Sequence, residues 1–121
     1  MHNRSFREFF YIEGIIRTNL EGTIKFTLLM LRHVTDRLIN IGSGASKHGI
    51  PGMSVYCASK FGLRGFTEAM SRASTGLRFH LVNPGMTRTR MTGYKGARPE
   101  EVAEVVAATV KGRYKDWEID V

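Results

Sequence analysis

The sequence predicts an α/β fold, half of a doubly wound parallel sheet in the order helix, then β-α-β-α-β. Three observations carry this. Short apolar runs at 37–42 and 77–83 end in turn-forming residues and read as strands. Amphipathic segments of more than a dozen residues separate them, with apolar positions three and four apart. Strands joined across such lengths pair in parallel through right-handed crossovers. The 121 residues are enough for one compact unit, 1–121.

Each element has its own warrant. Over 5–33, Ile16, Leu20, Ile24, Leu28 and Leu31 make one apolar stripe, so a helix is expected, with a break near Glu13-Gly14 as one possibility. Asn19 and Gly22 fall inside it, where propensity alone would not place them. Arg37 to Gly42 is the first strand, and Ser43 to Met53 is a loop punctuated by glycine, serine and proline. Ser54 is a plausible N-cap for a helix reaching about Ser74. Ala58, Gly62, Gly65 and Ala69 would let that helix pack closely on a neighbour. Gly76 precedes the second strand, 77–83, and Pro84-Gly85 opens a second long loop. Pro99 suits a first helical position, followed by Glu100, Glu101 and Glu104 at the positive end of the helix dipole. Val102, Val105, Val106, Thr109 and Val110 form its apolar face. Residues 117–121 close the chain as a last strand.

Composition excludes several classes of protein. An apolar fraction of 42% is ordinary for a folded domain. One cysteine, Cys57, allows no internal disulfide and reads as a small packing residue. No apolar run approaches membrane-spanning length, and the first residues show no secretory signal, so a cytoplasmic location is expected. The net charge of +7 sits on singly scattered residues, Arg17, Arg32, Arg37, Arg64, Arg72 and Arg78 among them. That reads as a solvated basic surface and not as a nucleic-acid interface. His2, His33, His48 and His80 lack metal-ligand spacing, and no metal is expected.

In open α/β sheets, sites gather at the carboxyl ends of the strands. Two such ends stand out, Ile41-Gly-Ser-Gly44 and Val82-Asn-Pro-Gly85. Tyr56 and Lys60 follow the first, four apart and therefore on one helical face. A lysine cation beside a phenol favours the phenolate and makes a tyrosine usable for acid–base work. By itself the pair also admits a blander reading, a half-buried packing tyrosine and a solvated lysine. The stretch Gly42-Ser-Gly44-Ala-Ser-Lys47 looks like a phosphate-binding turn. It has no third glycine at the required position and no helix is expected to open there, so the dinucleotide fingerprint fails its context.

Four pieces together identify a resemblance: Asn-Leu-x-Gly at 19–22, Ile-Asn-Ile-Gly-Ser at 39–43, Tyr-Cys-Ala-Ser-Lys at 56–60 and Asn-Pro-Gly-Met-Thr-Arg-Thr-Arg-Met at 83–91. In this order and spacing the chain resembles the short-chain dehydrogenase/reductase family, from about residue 5 to Val121. The resemblance implies a partial Rossmann-like sheet and NAD- or NADP-dependent hydride transfer between a small-molecule carbonyl and its alcohol. It implies Tyr56 as acid and base, Lys60 as the cation favouring its phenolate and as a ligand of the nicotinamide ribose, and Ser43 as the holder of the substrate oxygen. Asn19 would position a water leading to Lys60, and Pro84, Gly85, Thr87 and Thr89 would line the cofactor. Read from the residues alone, Asn19 could instead bend the helix, Ser43 could be a turn serine, and Thr87 and Thr89 loop hydroxyls. Loops 44–53 and 86–98 should wall the pocket, with Ile50, Pro51, Met53, Met86 and Met91 as an apolar lining.

Family members are usually about twice this length, and their N-terminal half, which carries the glycine-rich pyrophosphate turn, has no counterpart here. A truncated or split reductase is therefore expected, with weak cofactor binding and little or no turnover alone. It would leave the 37–42 strand as an edge. The alternative is a non-catalytic association module, because helices 11–33 and 54–74 resemble those through which family members pair into homo-oligomers.

Overall fold

The computed structural model describes residues 12–85 and 97–121. Three parallel strands, β1 (Arg37–Ile41), β2 (Arg78–Asn83) and β3 (Glu118–Asp120), lie in the order β1-β2-β3. A helical run over 12–30, here α1, precedes β1; α2 (Ser54–Arg72) joins β1 to β2, and α3 (Pro99–Val110) joins β2 to β3. This is the α/β architecture expected, a partial doubly wound sheet. Among the described residues β1 is an edge strand, and Ile41 at its end is 46% exposed.

The alternation of side chains along a strand assigns the two faces. Asn40 donates to Thr67 of α2 at 3.2 Å, and Glu118 receives Arg64 of α2 at 2.7 Å. The register Leu81↔Glu118 and Asn83↔Asp120 therefore puts Phe79, Leu81, Asn83, Glu118 and Asp120 on the α2 face. Arg37 reaches the Thr109 carbonyl of α3 at 2.9 Å, so Arg37, His80, Val82 and Ile119 face α3. The core is the sheet centre: Phe79 and Leu81 are buried on the α2 face, as is Leu63 of α2, while Val82 and Ile119 are buried on the opposite face, as is Thr109 of α3.

Several boundaries differ from expectation for visible reasons. The first helix, expected over 5–33, is described from Ile12 and stops at Met30, and it does not break at Glu13-Gly14. Its irregularity lies further on, where α-helix Ile12–Ile15 passes into a π-helical turn, Ile16–Glu21, and then back into α-helix Gly22–Met30. Gly22 donates its N–H to Arg17 O, five residues back. A Cβ at Gly22 would stand 2.9 Å from that same carbonyl, which accounts for a glycine inside a helix. The apolar stripe holds at Ile16, Leu20 and Ile24, which are half-buried. Beyond them Thr27 is buried while Phe26, Leu28 and Leu29 are 63%, 49% and 71% exposed.

Met53, not Ser54, is the N-cap of α2, because the Met53 carbonyl accepts the first helical bond, from Cys57 N–H at 2.8 Å. The helix ends at Arg72 and not Ser74. Ala73 turns extended and Gly76 takes φ +78 in the connecting turn, a conformation that costs glycine little. Of the four small residues of α2, Gly62 makes the close approach: a Cβ there would lie 2.9 Å from Leu20 Cδ2 of α1, whereas nothing lies within 4 Å at Gly65. Nor is every arginine solvated. Arg37 is 10% exposed, bonded to Asp36, the Thr109 carbonyl and His80 Nε2. His80 holds Asp116 O at 2.8 Å with its other nitrogen; that nitrogen is then the donor, and Nε2 accepts from Arg37.

Candidate active site

The carboxyl ends of β1 and β2 carry the site. After Ile41 the chain continues one more bond along β2, Gly42 N–H to Val82 O at 2.8 Å, and then Gly44 N–H donates to Pro84 O at 3.0 Å. These bonds hold the Gly42-Ser43-Gly44 and Asn83-Pro84-Gly85 turns side by side. A single 3-10 turn, Gly44–Ser46, does open after Ser43. It is one turn only and does not restore the dinucleotide fingerprint. Ser43 caps it: Ser43 Oγ accepts from Ala45 N–H at 3.1 Å, and Ser43 N–H donates to Ser46 Oγ at 3.0 Å. The hydroxyl keeps its own proton to donate elsewhere.

Helix α2 brings Tyr56 and Lys60 to this edge. The Lys60 ammonium lies 5.7 Å from the Tyr56 ring centroid and donates to Ile41 O, the last carbonyl of β1, at 3.3 Å. Burial pushes the Lys60 ammonium below its ordinary lysine value, because a half-buried cation loses hydration. The π turn of α1 sets Asn19 over the same stretch of α2, its amide nitrogen donating to Ser59 Oγ at 3.3 Å. Ser59 is buried beside Lys60 in sequence, and its hydroxyl donates to Tyr56 O at 2.6 Å. π turns recur at functional sites because they reposition one side chain without ending the helix. Thus Lys60 meets both Tyr56 and the β1 terminus, and Asn19 meets the residue next to Lys60. Thr87 and Thr89 lie outside the described residues.

A cavity of ≈ 480 Å³ opens beside Ser43, lined by Ser43, Gly44, Ala45, His48, Ile50, Met53 and Gly85. Ile50 and Met53 line it as expected. Pro51 is exposed and not in the lining, and Met86 and Met91 fall outside the described residues. Buried Cys57 does more than pack. Its sulfur accepts from Ile50 N–H at 3.3 Å and reaches His48 O at 3.7 Å, which pins the loop that forms the cavity wall.

Sequence reasoning missed the polar cluster under these turns. Asn83 is 3% exposed. Its Nδ2 donates to Glu118 Oε2 at 2.9 Å and Asp120 Oδ1 at 3.1 Å, and its Oδ1 accepts from Ser43 N–H at 3.2 Å. Arg64 holds Glu118 through two bonds, 2.7 and 3.1 Å, with its guanidinium 5.4 Å from the Trp117 ring centroid. Lys47 holds Asp120 at 2.8 Å. The Arg64 bond, helped by Asn83, draws Glu118 below the ordinary carboxylate range, and the Lys47 bond does the same for Asp120. The available signal was an asparagine closing an apolar strand ahead of Pro84-Gly85. Among the described residues no group of three His, Cys, Asp or Glu side chains could hold a metal, and no helix is long and apolar enough to cross a membrane.

A family model described as short chain dehydrogenase matches residues 4–100. A 3-oxoacyl-[acyl-carrier-protein] reductase of Synechocystis sp. is 38% identical over 93 residues, covering 72% of this chain and 38% of that protein. Carbonyl reductase family member 4 of Xenopus tropicalis is 34% identical over 113 residues, covering 88% of this chain and 46% of its own length. Carbonyl reductase family member 4 of Danio rerio is 37% identical over 84 residues, 65% of this chain and 35% of that protein. The chain spans between a third and a half of these curated relatives.

Proposed function

Since this chain belongs to the short-chain dehydrogenase family, we propose that it carries the catalytic residues of an NAD- or NADP-dependent oxidoreductase interconverting a small carbonyl compound and its alcohol. The observation that supports this best is the placement of Lys60, half-buried, beside Tyr56 and against the last carbonyl of β1. A lysine ammonium has three donors, and Ile41 O at 3.3 Å is the acceptor it meets among the described residues. Donors so placed fit the hydroxyls of a nicotinamide ribose. Lys60 would hold that ribose and Pro84 and Gly85 would flank the nicotinamide, with Thr87 and Thr89 as its further contacts. When bound, the dinucleotide supplies or accepts the hydride.

The chain's own residues then divide the remaining work. Ser43 donates a hydrogen bond from its hydroxyl to the substrate oxygen and orients it, while its Oγ accepts from Ala45 N–H. Tyr56 delivers its phenolic proton to that oxygen during reduction and recovers one during oxidation. Lys60 stabilises the phenolate left between the two steps by its charge. Asn19, with its amide nitrogen on Ser59, keeps its amide oxygen for a water leading to Lys60. Ala45, Ile50 and Met53 suit an apolar substituent on the carbonyl compound.

Alone, the 121-residue chain would bind the dinucleotide weakly, because its sequence contains no glycine-rich strand–turn–helix to seat the pyrophosphate. Titration of NADPH into isotope-labelled chain, followed by NMR, is expected to shift the amides of Ser43, Lys60 and Gly85 at millimolar concentration. Lys60→Met should abolish those shifts. Shifts elsewhere only, or shifts indifferent to Lys60, would overturn the reading. Clear carbonyl-dependent NADPH oxidation by the chain alone would overturn its weak-binding clause.

A second reading, a homo-oligomeric association module, is favoured by the apolar side chains that α1 and α2 leave exposed, Phe26, Leu28, Leu29 and Phe61. It predicts a concentration-dependent dimer that Tyr56→Phe does not disturb. A strict monomer in sedimentation would count against it.

A further inference from the structure

We propose that Asn83 is a positioning residue for Ser43, tying the serine turn to the two carboxylates of β3. The inference rests on the reading of Ser43 as the hydroxyl that holds the substrate oxygen. Asn83 is the last residue of β2 and is buried on the α2 face between the ends of β1 and β3. An amide side chain could face either way there, but its neighbours decide. Glu118 and Asp120 are ionised carboxylates and can only accept, so both Nδ2 hydrogens turn to them, at 2.9 and 3.1 Å. Oδ1 is thereby aimed at Ser43 N–H, 3.2 Å away. Arg64 and Lys47 hold the two carboxylates in turn, so the anchor is itself fixed.

Gly42 completes the arrangement. A Cβ at Gly42 would collide with Asn83 Oδ1 and lie 2.8 Å from Ser46 Oγ. Its absence lets the amide reach across to the serine turn. Ser43 is held extended, φ −165 and ψ 168, with its N–H shared between Ser46 Oγ and Asn83 Oδ1. That backbone sets where the Ser43 side chain starts, and Ala45 N–H, donating to its Oγ at 3.1 Å, fixes the oxygen. Aspartate at 83 would set a third carboxylate beside two others and donate nothing. Leucine would strip both carboxylates of a donor and Ser43 of an acceptor.

The test is amide hydrogen exchange on the full chain, read for Asn83→Ala and, as a gentler change, Asn83→Ser. Ser43 and Ala45 should exchange about tenfold faster, as expected for loss of one buried hydrogen bond, while Leu81 and Val82 stay within about twofold. Unchanged exchange at Ser43, or equal acceleration throughout the sheet in both variants, would overturn the proposal. Cyclohexanone titration then reads the consequence for the site. Asn83→Ala should weaken its binding severalfold, and should add nothing in a Ser43→Ala background. Further weakening in that background would show that Asn83 does not act through Ser43. If cyclohexanone fails to bind the unsubstituted chain, the oxygen-site reading of Ser43 fails, and the exchange result still decides whether Asn83 holds the turn.

Discussion

The amide oxygen of Asn83 occupies the space that a Cβ of Gly42 would need. A glycine in the strand–turn junction is therefore required by a neighbour from another strand and not by its own φ. Gly42→Ala should destabilise the fold by about 1–3 kcal/mol, the usual cost of overpacking, read as a shifted urea midpoint with an unchanged slope. A midpoint within error of the parent would mean that the two strand ends part easily.

Gly22 and Arg17 define a second such place. In an ordinary exposed helix, Gly→Ala gains about 1 kcal/mol. Here the new methyl would meet Arg17 O at 2.9 Å, and that carbonyl is the acceptor that defines the π turn. Gly22→Ala should therefore fail to stabilise, and should lose the Asn19–Ser59 contact as the turn rewinds to α. The Ser59 and Lys60 amide shifts report it. A gain near the ordinary helical value would show that the π turn is not worth keeping.

Lys60 carries a charge that burial disfavours. A cation with a lowered folded-state pKa works against folding at neutral pH, where the unfolded chain holds it fully hydrated. Lys60→Met should raise stability by up to about 1 kcal/mol, a small figure because the ammonium is still partly in water. The same change should remove nicotinamide binding. A destabilised Met variant would mean that the Ile41 and Tyr56 contacts outweigh the lost hydration.

The carboxylates of β3 set the acid limb of stability. Glu118 and Asp120 are both held below their unfolded values, chiefly by Arg64 and Lys47 respectively. Their contribution is present above the ordinary carboxylate range, about pH 4, and is lost as pH falls through the folded values. Lys47 is raised, chiefly by its bond to Asp120, so its share persists below the ordinary lysine value and fades only as pH rises through the folded one. Melting temperature followed from pH 7 to pH 2 should fall below about pH 4. Glu118→Gln with Asp120→Asn should flatten that fall. An acid limb of equal steepness in the double variant would place its origin elsewhere.

Much of this was legible along the chain. Strand periodicity, the proline at the head of α3 and the four spaced motifs led to the α/β class, the parallel order and the residues Asn19, Ser43, Tyr56 and Lys60. The periods and the cap are local signals, each held by one stretch of chain, whereas the candidate site residues came from four motifs taken together in their order and spacing. The first helix was harder to read, because a π turn adds one residue to one turn and leaves the apolar pattern on either side almost intact.

What only the tertiary structure decided lies between segments distant in sequence. Nothing in the serine turn announces that Asn83 from β2 will hold its backbone, or that Glu118 and Asp120 from β3 will dictate which way that amide points. Arg37 and Arg64 read as ordinary surface charge along the sequence, and their partners, the Thr109 carbonyl of α3 and Glu118 of β3, come from distant segments. The sequence by itself determined the class of fold, because that follows from local periodicity, and the candidate site residues are those that its resemblance to the family implies. The orientation of each group followed from packing, because a hydrogen bond needs its partner in place and the partner comes from another strand.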